Sequence, residues 1–155
     1  MVSHTAVRAV AALGAADAAL AALDKNVAAD RPFVLRSLAM MHTPEVVSGL
    51  TDRLSPATDP GLRKDLLAAL CRLHFREGTW KGDSWGTRPD ARGPYYQPEP
   101  WMETPRIAVV LAAVLEAAAP DEASFLIREM RRNRIPSDGA VERVIAMPSM
   151  VKRAS

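Results

Sequence analysis

Apolar residues return every three or four positions along most of the chain, the spacing at which side chains share one face of an α-helix. Val7, Val10 and Leu13 open the series, and Ala19, Leu20 and Leu23 follow beyond a break at Gly14. Phe33, Val34, Leu38 and Met41 mark a third helix, Val46, Val47, Leu50 and Leu54 a fourth, and Leu62, Leu66, Leu70 and Leu73 a fifth. After an interruption come Ile107 to Leu115, Phe125 to Met130 and Val141 to Ile145. No stretch alternates at the period of a strand, so the pattern predicts an all-α protein with no sheet.

The polar residues between these runs read as helix starts. Thr43-Pro44, Asp59-Pro60 and Thr104-Pro105 each set a capping oxygen before a proline. The side-chain oxygen can accept from an unpaired helix N–H, and proline at the first helical position has no N–H to waste. Asp30 with Pro32, and Pro120 with Asp121 and Glu122, are looser versions. The expectation is about seven or eight short helices with short connections. Val7-Arg8, Leu35-Arg36 and Leu62-Arg63 each set an aliphatic–arginine pair at a helix start. Their regular spacing suggests stacked helical hairpins, an α-solenoid, in which neighbours bury the faces that a lone hairpin leaves open. An ordinary bundle of similar amphipathic helices is the alternative.

One segment breaks the rhythm. Residues 76–102 form a long connection, and its stretch WKGDSWGTRPDARGPYYQPEPW (80–101) holds every tryptophan and tyrosine of the chain, with four prolines and three glycines. Structureless connections beyond about 12–15 residues are uncommon in compact domains. Disordered segments are poor in aromatics, so an ordered excursion with its own turns is expected here. Gly82, Gly86 and Gly93 permit sharp turns, and Pro89, Pro94, Pro98 and Pro100 stiffen the path. Arg88 and Arg92 flank Asp90, which suggests an internal ion-pair clamp. The segment admits three readings: aromatics that cover the stack's groove or end, a partner-binding surface, or a platform for a sugar or base. Trp80, Trp85, Arg88, Asp90, Arg92, Tyr95, Tyr96 and Trp101 are the candidate partner-binding residues, since Trp, Tyr and Arg dominate interface hot spots.

Composition narrows the classes. At 155 residues the chain fits a single domain spanning 1–155, with the excursion as an insertion. A net charge of +2 is too small to imply a nucleic-acid partner by itself. The only marked asymmetry is the basic helix end Arg128, Arg131, Arg132 and Arg134, whose cations suit a helix C-terminus and could also meet phosphate. One cysteine, Cys71, excludes an intrachain disulfide, and no apolar run approaches the ~18–20 residues of a membrane span. No signal peptide is visible.

The run LCRLHFREGTWKGDSWGTRPDARGPYYQPEPWMETPRI (70–107) resembles W-x-G-x-x-W-G-T-R-P-D-x-R-G-P-Y-Y stretches of HEAT-repeat regions in large secreted bacterial proteins. The helices up to Phe75 look like degenerate HEAT repeats, although their spacing is shorter than the ~40 residues of that class. The specific match covers about a quarter of the chain. It implies a HEAT-like solenoid that is a fragment of a multidomain parent, periplasmic or secreted, whose other modules include a dehydrogenase-like β-propeller and a c-type haem domain. It implies no catalytic residue here. Cys71-Arg72-Leu73-His74 lacks the paired cysteines of a haem-attachment motif, so no cofactor is expected on this chain.

Other candidates are weaker. Cys71 and His74 share a helix face, but a structural zinc site takes four ligands, so a packed cysteine and a half-buried histidine are expected. His4 and His42 have no visible partners, and Met40-Met41 read as core filling. No phosphate loop, H-E-x-x-H or G-x-S-x-G occurs. The leading expectation is a non-catalytic protein-interaction scaffold. A nucleic-acid-binding HEAT-like protein, in the manner of helical-repeat DNA glycosylases, is the alternative, and carbohydrate binding by the tryptophans a weaker one.

Overall fold

The computed structural model describes residues 4–25, 27–82 and 94–136. Over these residues the protein is mostly helical: α1 (His4–Ala12), α2 (Ala16–Asp24), α3 (Arg31–Leu38), α4 (Pro44–Leu54), α5 (Pro60–Leu73), α6 (Thr104–Ala117) and α7 (Pro120–Arg132). The helix expected at Val141–Ile145 lies outside the described residues.

Two of the three proline-marked starts behave as capping chemistry dictates. Thr43 Oγ1 accepts from Val46 N at 3.4 Å, and Asp59 Oδ1 accepts from Gly61 N at 2.9 Å. The third differs. Glu103 occupies the cap of α6, and Thr104 is already helical. The Thr104 hydroxyl accepts from Trp101 N at 2.9 Å and donates to His74 O at 2.5 Å, so it ties helices together rather than capping one. The break between α1 and α2 falls at Gly14, where φ is +61°, a conformation that glycine adopts without the Cβ clash of other residues.

Packing follows a simple order. α3 lies against α1 and α2, α5 against α3 and α4, and α7 against α5 and α6, while α4 also meets α2 and α6 meets α5. Each odd-numbered helix thus touches the next odd one. The core they enclose includes Leu38, Val46, Val47, Leu50, Leu66, Leu67, Leu70, Leu73, Ile107, Leu111 and Leu126, all fully buried. Removing each such side chain from water is worth about 1.5–3 kcal/mol. Ion pairs fix the order at the surface. Arg53 makes a two-pronged contact with Asp24, donating at 2.7 and 2.6 Å, and joins α4 to the end of α2. Arg63 pairs with Glu122 and donates to Leu54 O at 3.0 Å, so it links α5 to α7 and caps α4. Arg31 reaches Asp59 at 3.1 Å, joining α3 to the start of α5.

The periodic pattern errs at its margins. Leu13 falls in the turn after α1 and is 80 % exposed. Met40, expected in the core, is exposed, while Met41 beyond the end of α3 is buried. The Leu35-Arg36 pair lies in the second half of α3 rather than at its start, so the three aliphatic–arginine pairs do not occupy equivalent helical positions. α6 is apolar almost all round, yet only Ile107 and Leu111 are buried and Val109 is largely exposed.

The expectation of no sheet is corrected at one place. β1 (Arg76–Glu77) and β2 (Pro98–Glu99) pair antiparallel, with Arg76 opposite Glu99 and Glu77 opposite Pro98. Two residues are too few for alternation to register in a sequence. The pairing closes the base of the excursion.

Candidate functional site

The excursion leaves α5 and returns to α6, and both of its ends are held. Glu77 acts as a clamp: its two carboxylate oxygens accept from Tyr96 N at 2.9 Å and Gln97 N at 2.7 Å. Gly78 N donates to Gln97 O at 2.7 Å. A Cβ at Gly78 would stand 2.9 Å from that carbonyl oxygen, so only glycine allows the strands to approach this closely. The clamp expected from sequence, Asp90 between Arg88 and Arg92, lies outside the described residues, as does Trp85. The observed clamp is built from a carboxylate and backbone, which no residue pattern announces.

Two of the described aromatics of the excursion, Tyr95 and Trp101, turn toward the helices. Trp101 is half-buried, and its indole N–H donates to Leu73 O at 2.6 Å, satisfying a carbonyl at the end of α5. Its ring meets His42 edge-on, 5.2 Å between centroids. Tyr95 is buried beneath the guanidinium of Arg72, whose central carbon sits 3.5 Å from the ring centroid. That is a close cation–π stack, worth more here than at an exposed site because water is excluded. Trp80 is half-buried, with its indole nitrogen out of contact with solvent. Tyr96 is the outward one, at 44 % exposed.

His42 is one of the two histidines that sequence reading left without a partner. Its Nε2 lies 2.9 Å from Phe75 O and 3.3 Å from the Tyr95 hydroxyl. A carbonyl can only accept, so Nε2 carries the proton. Burial lowers the His42 pKa; the Phe75 carbonyl opposes this and the Arg72 charge reinforces it. His74 is more buried than expected, stacks edge-on to Phe75, and has its pKa lowered by burial alone. Burial also pushes the Cys71 thiol upward, with Glu129 adding to the effect, so Cys71 stays protonated.

Two imidazoles held neutral give a pH dependence with a definite sign. In the unfolded chain both titrate near the ordinary value of about 6.5, so below that pH the unfolded state binds more protons. Stability is full above about pH 6.5 and falls as the solution is acidified toward the depressed folded values. Urea midpoints measured between pH 7.5 and 5.5 should decline, and His42→Gln should flatten the decline. A flat profile in the parent chain would contradict the burial argument.

A groove lies beside this cluster. It has a volume of about 330 Å³ and is bounded by Pro32, Leu35, Arg36 and Ala39 of α3 and the turn after it, by Asp65, Ala68, Ala69 and Arg72 of α5, and by Glu129, Arg132 and Asn133 of α7 and its cap. Pro94 of the excursion completes one edge. The small side chains of Ala39, Ala68 and Ala69 keep the floor shallow-walled and open. Arg72 therefore serves two surfaces, its stack on Tyr95 and the groove. Sequence reading missed the groove because its residues come from three helices and each looks unremarkable alone. Comparison with known proteins yields no matching family model, no curated relative and no similar solved structure.

Proposed function

We propose that the protein is a non-catalytic interaction scaffold, a HEAT-like α-solenoid segment that holds a polypeptide partner along its α3–α5–α7 face. The observation that carries this reading is the groove, which three successive odd-numbered helices and the edge of the excursion build together. Helices that touch their second neighbours, as α1, α3, α5 and α7 do in turn, support the stacked-hairpin arrangement. The excursion's part in this reading rests on its described end: Pro94 lines the groove, and the Glu77 clamp and the Trp101 anchor hold the residues that follow it. The likeness of residues 70–107 to HEAT-repeat regions of secreted multidomain proteins supports neighbouring domains of a larger parent as the partner class.

The test is selection of 15-residue peptides displayed on phage against the whole chain, followed by a groove-filling variant. Ala68→Trp places an indole in the groove. Selected peptides should bind it at least tenfold more weakly, with helicity and thermal midpoint retained. Peptides indifferent to Ala68→Trp, or a selection that returns none, count against the reading.

A further inference from the structure

The groove has a distinctive charge layout. Arg36 from α3, Arg72 from α5 and Arg132 from α7 all line it, so each of three helices brings an arginine, with the Arg72 guanidinium stacked on Tyr95. Arg36 and Arg132 are exposed, and Arg132 meets Glu129 only at 3.9 Å. Burial holds the Arg72 pKa below its ordinary value; the Arg132 charge pushes the same way, against Tyr95 and Glu77. Two guanidiniums that repel along one groove are relieved when an anion lies between them. The lining also includes the apolar Leu35, Ala39, Ala68 and Ala69.

We infer that the groove's occupant is an acidic amphipathic polypeptide segment, with carboxylates on the exposed Arg36 and Arg132 and apolar side chains against Ala39 and Ala68. This rests on the scaffold reading and names its partner class. The charge layout favours a peptide over a nucleic acid. Asp65 and Glu129 also line the groove. A duplex carries a phosphate charge about every 1.7 Å and cannot avoid those carboxylates, whereas a peptide sets neutral or basic residues opposite them. Arginine in a planar fork also suits carboxylate geometry, and two forks from two helices read a spacing as well as a charge.

The experiment uses the whole chain and two dye-labelled 15-residue peptides of the same leucine pattern, one with glutamate and one with glutamine at every polar position, beside a 15-base-pair DNA duplex. Fluorescence anisotropy at low salt should show the glutamate peptide binding at least tenfold more tightly than the glutamine one. The double variant Arg36→Glu with Arg132→Glu, both exposed and remote from the core, should abolish that difference. Equal binding of the two peptides, lost for both in Ala68→Trp, overturns the acidic partner and leaves the scaffold reading standing. Binding of neither peptide, or binding untouched by Ala68→Trp, overturns the inference and weighs against the groove itself. Preferred binding of the duplex overturns it in favour of phosphate recognition, and a preference that survives the double variant overturns the assignment of these arginines.

Discussion

Replacing Leu70 with alanine should lower the unfolding free energy by about 4 kcal/mol, toward the upper end for a buried leucine. Leu70 is fully buried on α5, and α5 is the helix that touches α3, α4, α6 and α7. A cavity there is walled by neighbouring helices, and none can close it without disturbing its own contacts. The cost of a leucine truncation grows with the cavity that remains, which places this site high in the range. Chemical denaturation would read the change directly. Leu13→Ala is the matched control: Leu13 is 80 % exposed, and its loss should cost less than about 0.5 kcal/mol. A Leu70 variant within about 1 kcal/mol of the parent would contradict the placement of the core.

Trp101→Ala is the second large effect, at about 3 kcal/mol, the low end for a tryptophan truncation because the ring is only half-buried. The change removes the edge contact with His42 and leaves Leu73 O without the indole donor. Trp101→Phe keeps a ring in place and loses the hydrogen bond, so its cost should be nearer 1 kcal/mol, roughly that of one hydrogen bond. Equal losses in the two variants would show that packing of the indole contributes little, and that the hydrogen bond alone ties the excursion to α5. Both variants should also lose the part of the fluorescence change on unfolding that Trp101 contributes, because the indole reports its own burial.

These two sites differ in how far the sequence announces them. Leu70 stands in the run Leu62, Leu66, Leu70, Leu73, and four-residue spacing is sufficient to place it on a buried helix face. The same rule identified Val46, Val47, Leu50 and Leu54, all buried. It failed at Leu13 and Met40, which sit at helix ends, where the turn rather than the period decides which way a side chain points. It also gave no warning that α6 would leave Val109 uncovered, because a helix apolar on every side carries no phase.

Trp101 was legible as part of an aromatic cluster but not as an anchor. Its partners, Leu73 O and His42, lie far back in the chain, and a backbone acceptor has no signature in a sequence. Tyr95 and Arg72 illustrate the same limit: a stack with 3.5 Å separation joins an excursion residue to a helix residue that looked like an ordinary charged position. Of the candidate partner-binding residues, Tyr95 and Trp101 face the helices, Trp80 is half-buried and Tyr96 is exposed, while Trp85, Arg88, Asp90 and Arg92 lie outside the described residues. Arg132 was legible as part of a basic helix end, but its company was not, since only the packing of α3, α5 and α7 brings Arg36, Arg72 and Arg132 to one surface.

The paired strands at the base of the excursion bear on how such a chain can diversify. Because Arg76 opposite Glu99 and the Glu77 clamp already bring the two ends together, chain added between Gly78 and Gln97 lengthens a loop whose closure is settled. Doubling the length of a flexible closed loop costs only about 0.6 kcal/mol. Insertion between the clamped ends therefore leaves the register of α5 and α6 to those ends, whereas substitution at Tyr95 or Trp101 reaches α5 directly. The length of chain between the clamped ends can change while the helical framework that holds those ends stays the same.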